Sequence, residues 1–171
     1  VQTEDFVDAD ELFSLDYAYF SSTSTSWLAH SKQYYKMICR QLSLNGNSFV
    51  IEIASNDGYL LKNFVKAEIP CLGIEPTNST AEAAEKLGVP TLREFFGNEI
   101  GKRLANKEKQ ADLIIANNVC AHVPDINNFI KGVKAALKPR GTITLEFSSL
   151  MSLIDGCLFD ICYHEHYSYF S

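Results

Sequence analysis

The fold follows from one segment, Phe49-Val-Ile-Glu-Ile-Ala-Ser-Asn-Asp-Gly-Tyr-Leu-Leu-Lys62. Residues 49–53 are an apolar, β-branched run of strand length, and residues 54–58 are a tight loop of small residues. Apolar residues at helical spacing follow from Tyr59 and predict a helix over residues 59–66. Open α/β sheets bind nucleotide-like ligands at such a strand–loop–helix unit. The loop lets the ligand approach the backbone, and the helix N-terminus offers unpaired N–H groups.

The loop contains a single glycine, Gly58, which excludes both the Gly-x-x-x-x-Gly-Lys-Ser phosphate loop and the three-glycine dinucleotide motif. An acidic residue inside the strand, Glu52, followed by this loop instead resembles motif I of S-adenosylmethionine (SAM) methyltransferases. That cofactor carries a cationic sulfonium and an amino group, so nearby carboxylates favour its binding. On the loop alone, another nucleotide or a turn without a ligand stays open. The resemblance implies cofactor contacts from Glu52, Ala54, Ser55, Asn56, Asp57 and Gly58.

Composition narrows the class of protein. With 171 residues, 46% of them hydrophobic, the chain is long enough for one domain with a sizeable core. A net charge of −6 argues against a nucleic-acid or membrane-surface partner, which would favour a basic face. The five cysteines are odd in number and contain no Cys-x-x-Cys pair, which favours a reducing compartment. We expect a cytoplasmic enzyme with a small-molecule substrate; the oligomeric state is left open.

Strands and helices alternate along the chain, which predicts a doubly wound, mainly parallel α/β sheet of the Rossmann-like class I methyltransferase type. The expected strand order is 3-2-1-4-5, and the sheet is expected to stop after strand 5. Residues 1–24 are predicted to be a lead-in arm, residues 25–150 the SAM-binding core, and residues 151–171 an active-site segment. The predicted strands are residues 49–53, 71–75, 89–92, 111–116 and 142–147, with a turn at residues 138–141.

The carboxyl ends of these strands should face the ligand. Glu75 ends the second strand and is well placed to accept both ribose hydroxyls of an adenosine; a solvated glutamate is the alternative. Phe95 or Phe96 is expected near the adenine ring, where either could stack on it or belong to the core. From the strand ends we expect cofactor contacts by Glu75, Pro76, Phe95, Asn117 and Asn118.

Residues 159–171 concentrate aromatic, histidine and acidic side chains after the fifth strand. A solvated loop with satisfied histidines is one interpretation. A metal site is a second, since His164 and His166 share a face in an extended segment and His122 could join them. The third is an acid–base cluster beside the cofactor, because a histidine oriented by a carboxylate is the commonest proton-abstracting group near neutral pH.

Four motifs together resemble the sugar C-methyltransferases of deoxysugar biosynthesis. These are class I SAM enzymes that methylate C-3 of a nucleotide-linked 4-keto-6-deoxyhexose. The resemblance covers most of the chain and implies that it corresponds to the central portion of a longer enzyme. The motifs are Val50-Ile-Glu-Ile-Ala-Ser-Asn-Asp-Gly-Tyr-Leu-Leu61, Leu72-Gly-Ile-Glu-Pro76, Asn117-Asn-Val-Cys-Ala-His-Val-Pro-Asp125 and Tyr163-His-Glu-His166.

The same resemblance implies roles for five residues. His166 is expected to be the general base that removes an α-proton from the keto sugar, with Glu165 and Tyr163 close to the sugar. His122 is expected to contact the keto or hydroxyl oxygens, and Tyr17 to close the pocket from the lead-in arm. Two other functions stay open: a SAM-dependent O- or N-methyltransferase, and a non-catalytic SAM-binding fragment of a larger protein.

Overall fold

The computed structural model describes Thr3, residues 19–163 and residues 165–171. Tyr17 and His164, for which the sequence predicts a pocket-closing role and a possible metal contact, lie outside the described residues.

The described residues form one five-stranded sheet with strand order β3-β2-β1-β4-β5. Every pair of neighbouring strands is parallel. This confirms the doubly wound Rossmann-like fold and its predicted strand order. The strands are β1 (Val50–Ile53), β2 (Cys71–Ile74), β3 (Thr91–Leu92), β4 (Ala111–Asn117) and β5 (Leu137–Glu146).

Helices connect the strands and flank the sheet. Ser24 caps the first of them by accepting a hydrogen bond from the backbone N–H of Trp27. None of the described helices is long and apolar enough to span a membrane. The helices are α1 (Thr25–Leu42), α2 (Lys62–Lys66), α3 (Asn78–Lys86), α4 (Asn98–Asn106), α5 (Ile126–Ala136) and α6 (Leu150–Asp155).

The two faces of β1 enter two separate apolar clusters because its side chains alternate. Ile51 and Ile53 belong to the cluster that contains α4 and α5, whereas Val50 belongs to the cluster that contains α2 and the buried Ile38 of α1. Tyr59 and the two leucines after it are almost completely buried in that second cluster. They form turns rather than helix, so α2 begins at Lys62, three residues later than predicted.

The turn predicted at residues 138–141 lies within β5, so the prediction that these residues precede the strand is wrong. Leu137 is paired with Ala111, and the next paired residue of β5, Thr142, is opposite Leu113. Residues 138–141 therefore bulge out opposite Asp112 alone. The Asp112 carboxylate accepts hydrogen bonds from Lys138 Nζ and from the backbone N–H of Phe49, both at 2.7 Å. This carboxylate ties the bulge to the start of β1.

The segment after α6 returns to the carboxyl end of the sheet. The carbonyl oxygen of Ala121, in the loop after β4, accepts hydrogen bonds from the backbone N–H groups of Tyr167 and Ser168 at 2.7 and 3.1 Å. Phe170 forms a parallel bridge with Ser149, just before α6. These contacts bring residues 165–171 next to the loop after β4, on the edge of the sheet where the ligand is expected.

Candidate active site

A cavity of about 940 Å³ lies at the carboxyl ends of the strands. This is near the upper end of the volume range of small-molecule sites, which leaves room for two reactants side by side. Most of the residues predicted to contact cofactor or substrate line it: Ala54, Asn56, Glu75, Pro76, Phe95, Asn117, Asn118, His122, Tyr163, Glu165 and His166.

The loop after β1 bends through left-handed backbone conformations. Ala54 and Asn56 have φ values of 53° and 48°, and Gly58 has a φ of 74°. Only Gly and, to a lesser extent, Asn adopt this region easily, so the conformation suits Gly58 and Asn56 better than Ala54. The bend turns the backbone N–H of Asn56 towards the end of β2, where it meets Glu75.

Glu75 is held rigidly by backbone donors. Its Oε2 accepts a hydrogen bond from the N–H of Asn56 at 2.9 Å, and its Oε1 accepts one from the N–H of Thr77 at 3.0 Å. The side chain is 5% exposed and lines the cavity. Each carboxylate oxygen keeps a further lone pair, so this fixed carboxylate can accept hydrogen bonds from a pair of ligand hydroxyls.

Four other residues for which cofactor contacts were expected do not line the cavity: Glu52, Ser55, Asp57 and Gly58. Ser55 is completely buried, and its Oγ fills the space where Gly73 of β2 has no Cβ. Asp57 faces residues of the lead-in arm instead: its Oδ2 accepts a hydrogen bond from the N–H of Ser22 at 3.0 Å. The side chain of Asn56 also contacts the arm, although Asn56 borders the cavity as well.

Glu52 is buried in the sheet. It is 1% exposed, and neither of its carboxylate oxygens has a hydrogen-bond partner among the described residues. Burial raises the pKa of Glu52 well above its usual value; the Tyr59 hydroxyl opposes this shift, and the charges of Glu75 and Asp57 add to it. Burial together with the charge of Glu52 also raises the pKa of Tyr59. Glu52 is therefore harder to ionise than an exposed glutamate.

The aromatic wall of the cavity comes from the segment after β3. Phe95 and Phe96 both line the cavity. Phe95 is 43% exposed, whereas Phe96 packs edge-on against Phe129 with ring centroids 5.6 Å apart. Of the two alternatives predicted for these rings, Phe95 is the one free of a core role and available to a planar ligand.

The second part of the cavity holds an aromatic and histidine cluster. The ring of His166 lies between the rings of Tyr163 and His122, with centroid distances of 4.1 and 4.7 Å. Tyr169 approaches it edge-on at 5.8 Å. His166 is 8% exposed and still borders the cavity. Residues that are 44 positions apart in the sequence, His122 and His166, thus meet on one wall.

His122 is a neutral hydrogen-bonding group. Burial lowers its pKa to about 4, helped by the charge of the nearby His166 ring and opposed by the Glu165 carbonyl. Its Nδ1 lies 3.0 Å from that carbonyl oxygen. Since a carbonyl only accepts hydrogen bonds, Nδ1 carries the proton of the neutral ring. His122 therefore remains neutral near pH 7.

Acidic groups dominate the charge of the cavity. The lining includes the carboxylates of Glu75, Glu94, Asp125 and Glu165, and among the described residues no lysine or arginine lines it. Such a set of negatively charged hydrogen-bond acceptors suits a ligand with positive charge and hydroxyl groups. It disfavours a phosphate inside the cavity. Within the described part of the chain, no three His, Cys, Asp or Glu side chains are grouped so that they could hold a metal ion.

Several lining residues were not among the predicted site residues, notably Tyr19, Ser21 and Trp27. Trp27 fits the apolar spacing of α1, so periodicity alone assigns it to the core. Its ring lies 5.9 Å from that of Tyr59 and is stacked at 5.0 Å on that of His30. Tyr17, Tyr19 and Phe20, which precede α1, form an aromatic cluster in the sequence that could have indicated this region.

Comparison with known proteins identifies the family. A family model described as a methyltransferase domain matches residues 51–143. The C-methyltransferase NovU from Streptomyces niveus is 32% identical over 165 residues, which are 96% of this chain and 39% of that relative. This chain therefore spans well under half the length of NovU.

Solved structures share the fold. The PH0226 protein from Pyrococcus horikoshii OT3 superposes with a TM-score of 0.63 and 15% identity, over 89% of this chain and 68% of that chain. A SAM dependent methyltransferase from Archaeoglobus fulgidus superposes with a TM-score of 0.60 and 13% identity, over 81% of this chain and 62% of that chain. At these identities, both structures support the fold alone.

Proposed function

This chain belongs to the methyltransferase domain family, and from that membership we propose that it transfers a methyl group from SAM to a carbon atom of a small molecule. The acceptor that we propose is C-3 of a nucleotide-linked 4-keto-6-deoxy sugar. The observation that supports it most is the histidine cluster on the wall of a cavity that also contains Glu75. The name of the relative NovU, a C-methyltransferase, agrees with transfer to carbon.

The residues in the loop after β1 and at the ends of the neighbouring strands fit the cofactor. Glu75 supplies a fixed pair of acceptor oxygens for ribose hydroxyls, and Phe95 offers an exposed ring for the adenine. Four carboxylates around the cavity favour a cationic ligand. SAM held there would supply the methyl group: as the new carbon–methyl bond forms, the methyl–sulfur bond would break and its electron pair would remain on the sulfur of S-adenosylhomocysteine. Ala54, Asn56, Pro76, Asn117 and Asn118 complete the proposed cofactor side.

A carbon next to a ketone becomes a nucleophile only when a base removes its proton. We assign this step to an imidazole nitrogen of His166, which takes up the proton as the carbon–hydrogen bond breaks and the electron pair moves towards the carbonyl oxygen. His166 suits this step because it is buried at the cavity wall, next to a second histidine that stays neutral near pH 7. The proton that leaves the sugar is held on His166 only until it returns or exchanges with solvent.

Three other residues act on the acceptor in this proposal. His122 is held in one tautomer by the Glu165 carbonyl, so its ring is oriented as a hydrogen-bond partner for the sugar oxygens. Tyr163, whose ring packs on His166, limits the orientations of the base, and the Glu165 side chain borders the cavity. Tyr17 remains a predicted closing residue of the arm.

The acidic lining bears on how the acceptor enters. Because four carboxylates and no described lysine or arginine surround the cavity, we propose that the sugar ring enters it and that the diphosphate stays outside. The same lining favours, as a second candidate, a neutral acceptor methylated on oxygen or nitrogen. All five cysteines are free, two of them buried, which agrees with the proposed cytoplasmic location.

Replacement of His166 tests the proposal. In the full-length protein, His166→Gln should lower the rate of methyl transfer at least about 100-fold, the usual contribution of a general base, while the Kd of S-adenosylhomocysteine changes less than about threefold. His30→Gln is the matched control, because His30 does not line the cavity. Retained turnover in the His166 variant would reject the base.

Solvent exchange separates the two candidate functions. With 4-keto sugar nucleotides in heavy water and without SAM, a carbon acceptor predicts deuterium at C-3, because His166 removes that proton reversibly. An oxygen or nitrogen acceptor predicts no deuterium at C-3 in this assay, and methyl transfer once SAM is added. The His166→Gln variant should lose the exchange in the first case.

A further inference from the structure

We propose that Asn56 and Asp57 are positioning residues. Their side chains fasten residues 19–23 onto the loop after β1 (residues 54–58) and thereby shape the acceptor side of the cavity. We call residues 19–23 the arm segment. The fastening itself stands on the contacts of the described residues; its effect on the acceptor rests on the proposed function.

The contacts are made by side chains of the loop and the backbone of the arm segment. Asn56 Oδ1 accepts a hydrogen bond from the N–H of Ser21 at 2.9 Å, and Asn56 Nδ2 donates one to the carbonyl oxygen of Tyr19 at 2.9 Å. Asp57 Oδ2 accepts one from the N–H of Ser22 at 3.0 Å. Three successive polar contacts therefore join two segments that are 35 or more residues apart in the sequence.

Asn56 connects the arm segment to Glu75, the carboxylate that we propose binds the ribose of the cofactor. Its backbone N–H donates to Glu75, while its side chain holds Ser21 and Tyr19. The backbone of Asn56 is left-handed here, with a φ of 48°. Asparagine tolerates this conformation better than other residues with a Cβ, which explains why this residue type stands here.

The side chain of Asp57 makes one hydrogen bond to described residues, and its partner belongs to the arm segment. It is 2% exposed, and its Oδ1 has no hydrogen-bond partner among them. A buried carboxyl group is costly unless donors satisfy it, so the hydrogen bond from the Ser22 N–H stabilises this side chain in its buried position. The docked arm segment and the buried carboxylate therefore stabilise each other.

The docked arm segment contributes to the cavity. Tyr19 and Ser21 line it, and the chain then enters α1 through the Ser24 cap, which places Trp27 on the same wall. Loss of the two loop side chains should release Tyr19 and Ser21 from this wall without removing Glu75 or Phe95. The acceptor should then bind more weakly, whereas the cofactor should bind as before when only Asp57, which does not line the cavity, is replaced.

Amide hydrogen exchange at single residues tests the fastening directly. Asn56→Gly keeps the left-handed backbone and should speed exchange at Ser21 at least tenfold, and Asp57→Ala should do the same at Ser22. Asp57→Asn keeps an acceptor oxygen and should restore most of the protection at Ser22. Asn63→Ala is the control, since its side chain bonds only locally to the Leu60 carbonyl in the described structure and should leave both amides protected.

Steady-state kinetics and calorimetry on the full-length variants test the effect on the site. Asp57→Ala, at a residue that does not line the cavity, should raise the acceptor KM at least fivefold and change the Kd of S-adenosylhomocysteine less than threefold. Unchanged exchange at both serines would overturn the proposal, as would a tenfold weaker Kd with an unchanged KM. If Asn56→Gly does not fold, Asp57→Ala, read at the Ser22 amide, decides the fastening. Exchange involves no methyl transfer, so it decides the fastening even if the acceptor is wrong.

Discussion

The imidazole rings of His122 and His166 lie with their centroids 4.7 Å apart and their planes inclined at 68°. His122 ends the short turn Cys120–His122 after β4, and His166 follows the last helical turn of the chain. The Ala121 carbonyl holds the two segments together by accepting from Tyr167 and Ser168. This closeness has a consequence for protonation, because one charged ring disfavours a charge on the other.

The lowered pKa of His122 predicts how stability depends on pH. The unfolded state binds a proton on this residue near pH 6.5 and the folded state only near pH 4, so stability falls as pH falls through that range. Relative to His122→Asn, which does not titrate, the wild type should lose up to about 3 kcal/mol between these limits. Urea unfolding at pH 4.5, 5.5 and 7 measures the difference. Parallel curves for the two proteins would contradict the prediction.

The buried carboxyl of Glu52 predicts the opposite trend. Its pKa is raised in the folded state, so its contribution to stability is present below about pH 4.5 and is lost as pH rises through the folded pKa. Glu52→Gln removes the titration, and its stability relative to the wild type should rise with pH, by up to about 1.4 kcal/mol per unit. Thermal unfolding between pH 4.5 and 8 checks this. A difference independent of pH would show that Glu52 is ionised in the folded protein.

Replacement of Glu75 should weaken cofactor binding. In Glu75→Gln, one of the two backbone N–H groups that now donate to the carboxylate would face an amide NH2 group. The charge-assisted hydrogen bonds that the ribose hydroxyls would make to the carboxylate, worth roughly 1.5–3 kcal/mol, would also be lost. The Kd of S-adenosylhomocysteine should therefore rise about tenfold or more. Calorimetry measures the Kd. Glu82→Gln, on the exposed side of α3, should leave it unchanged, and an unchanged Kd in Glu75→Gln would remove Glu75 from the cofactor site.

The contact between α4 and α5 predicts a stability effect away from the cavity. A Cβ on Gly132 would lie 2.5 Å from the Gly97 carbonyl oxygen, and Gly101 faces the Gly132 backbone as closely. Gly132→Ala should therefore cost about 1–3 kcal/mol, because backbone atoms must move. Lys131→Ala, an exposed site on the same helix, should change stability by less than about 0.5 kcal/mol. Equal melting temperatures for the two variants would show that the helices can separate at little cost.

The fold could be predicted because its signals are local. The sequence alternates between apolar runs of strand length and segments with apolar residues at helical spacing. This alternation predicts a parallel sheet with crossover helices, and the observed strand order is the predicted one. The positions of Glu75, Asn117 and His122 followed as well, because parallel strands bring their carboxyl ends to one edge. In each case, the type of element and the point where a strand ends depend on residues that are close together in the sequence.

The remaining features depend on contacts between distant residues. Residues 138–141 stay within β5 because Asp112 bonds Lys138, and the side chains of Asn56 and Asp57 turn to the arm segment because Tyr19, Ser21 and Ser22 are there. Trp27 has the spacing of a core residue, yet it borders the cavity. Periodicity reports which side of an element is apolar, whereas the partner of a polar group is selected by the packing of the whole chain.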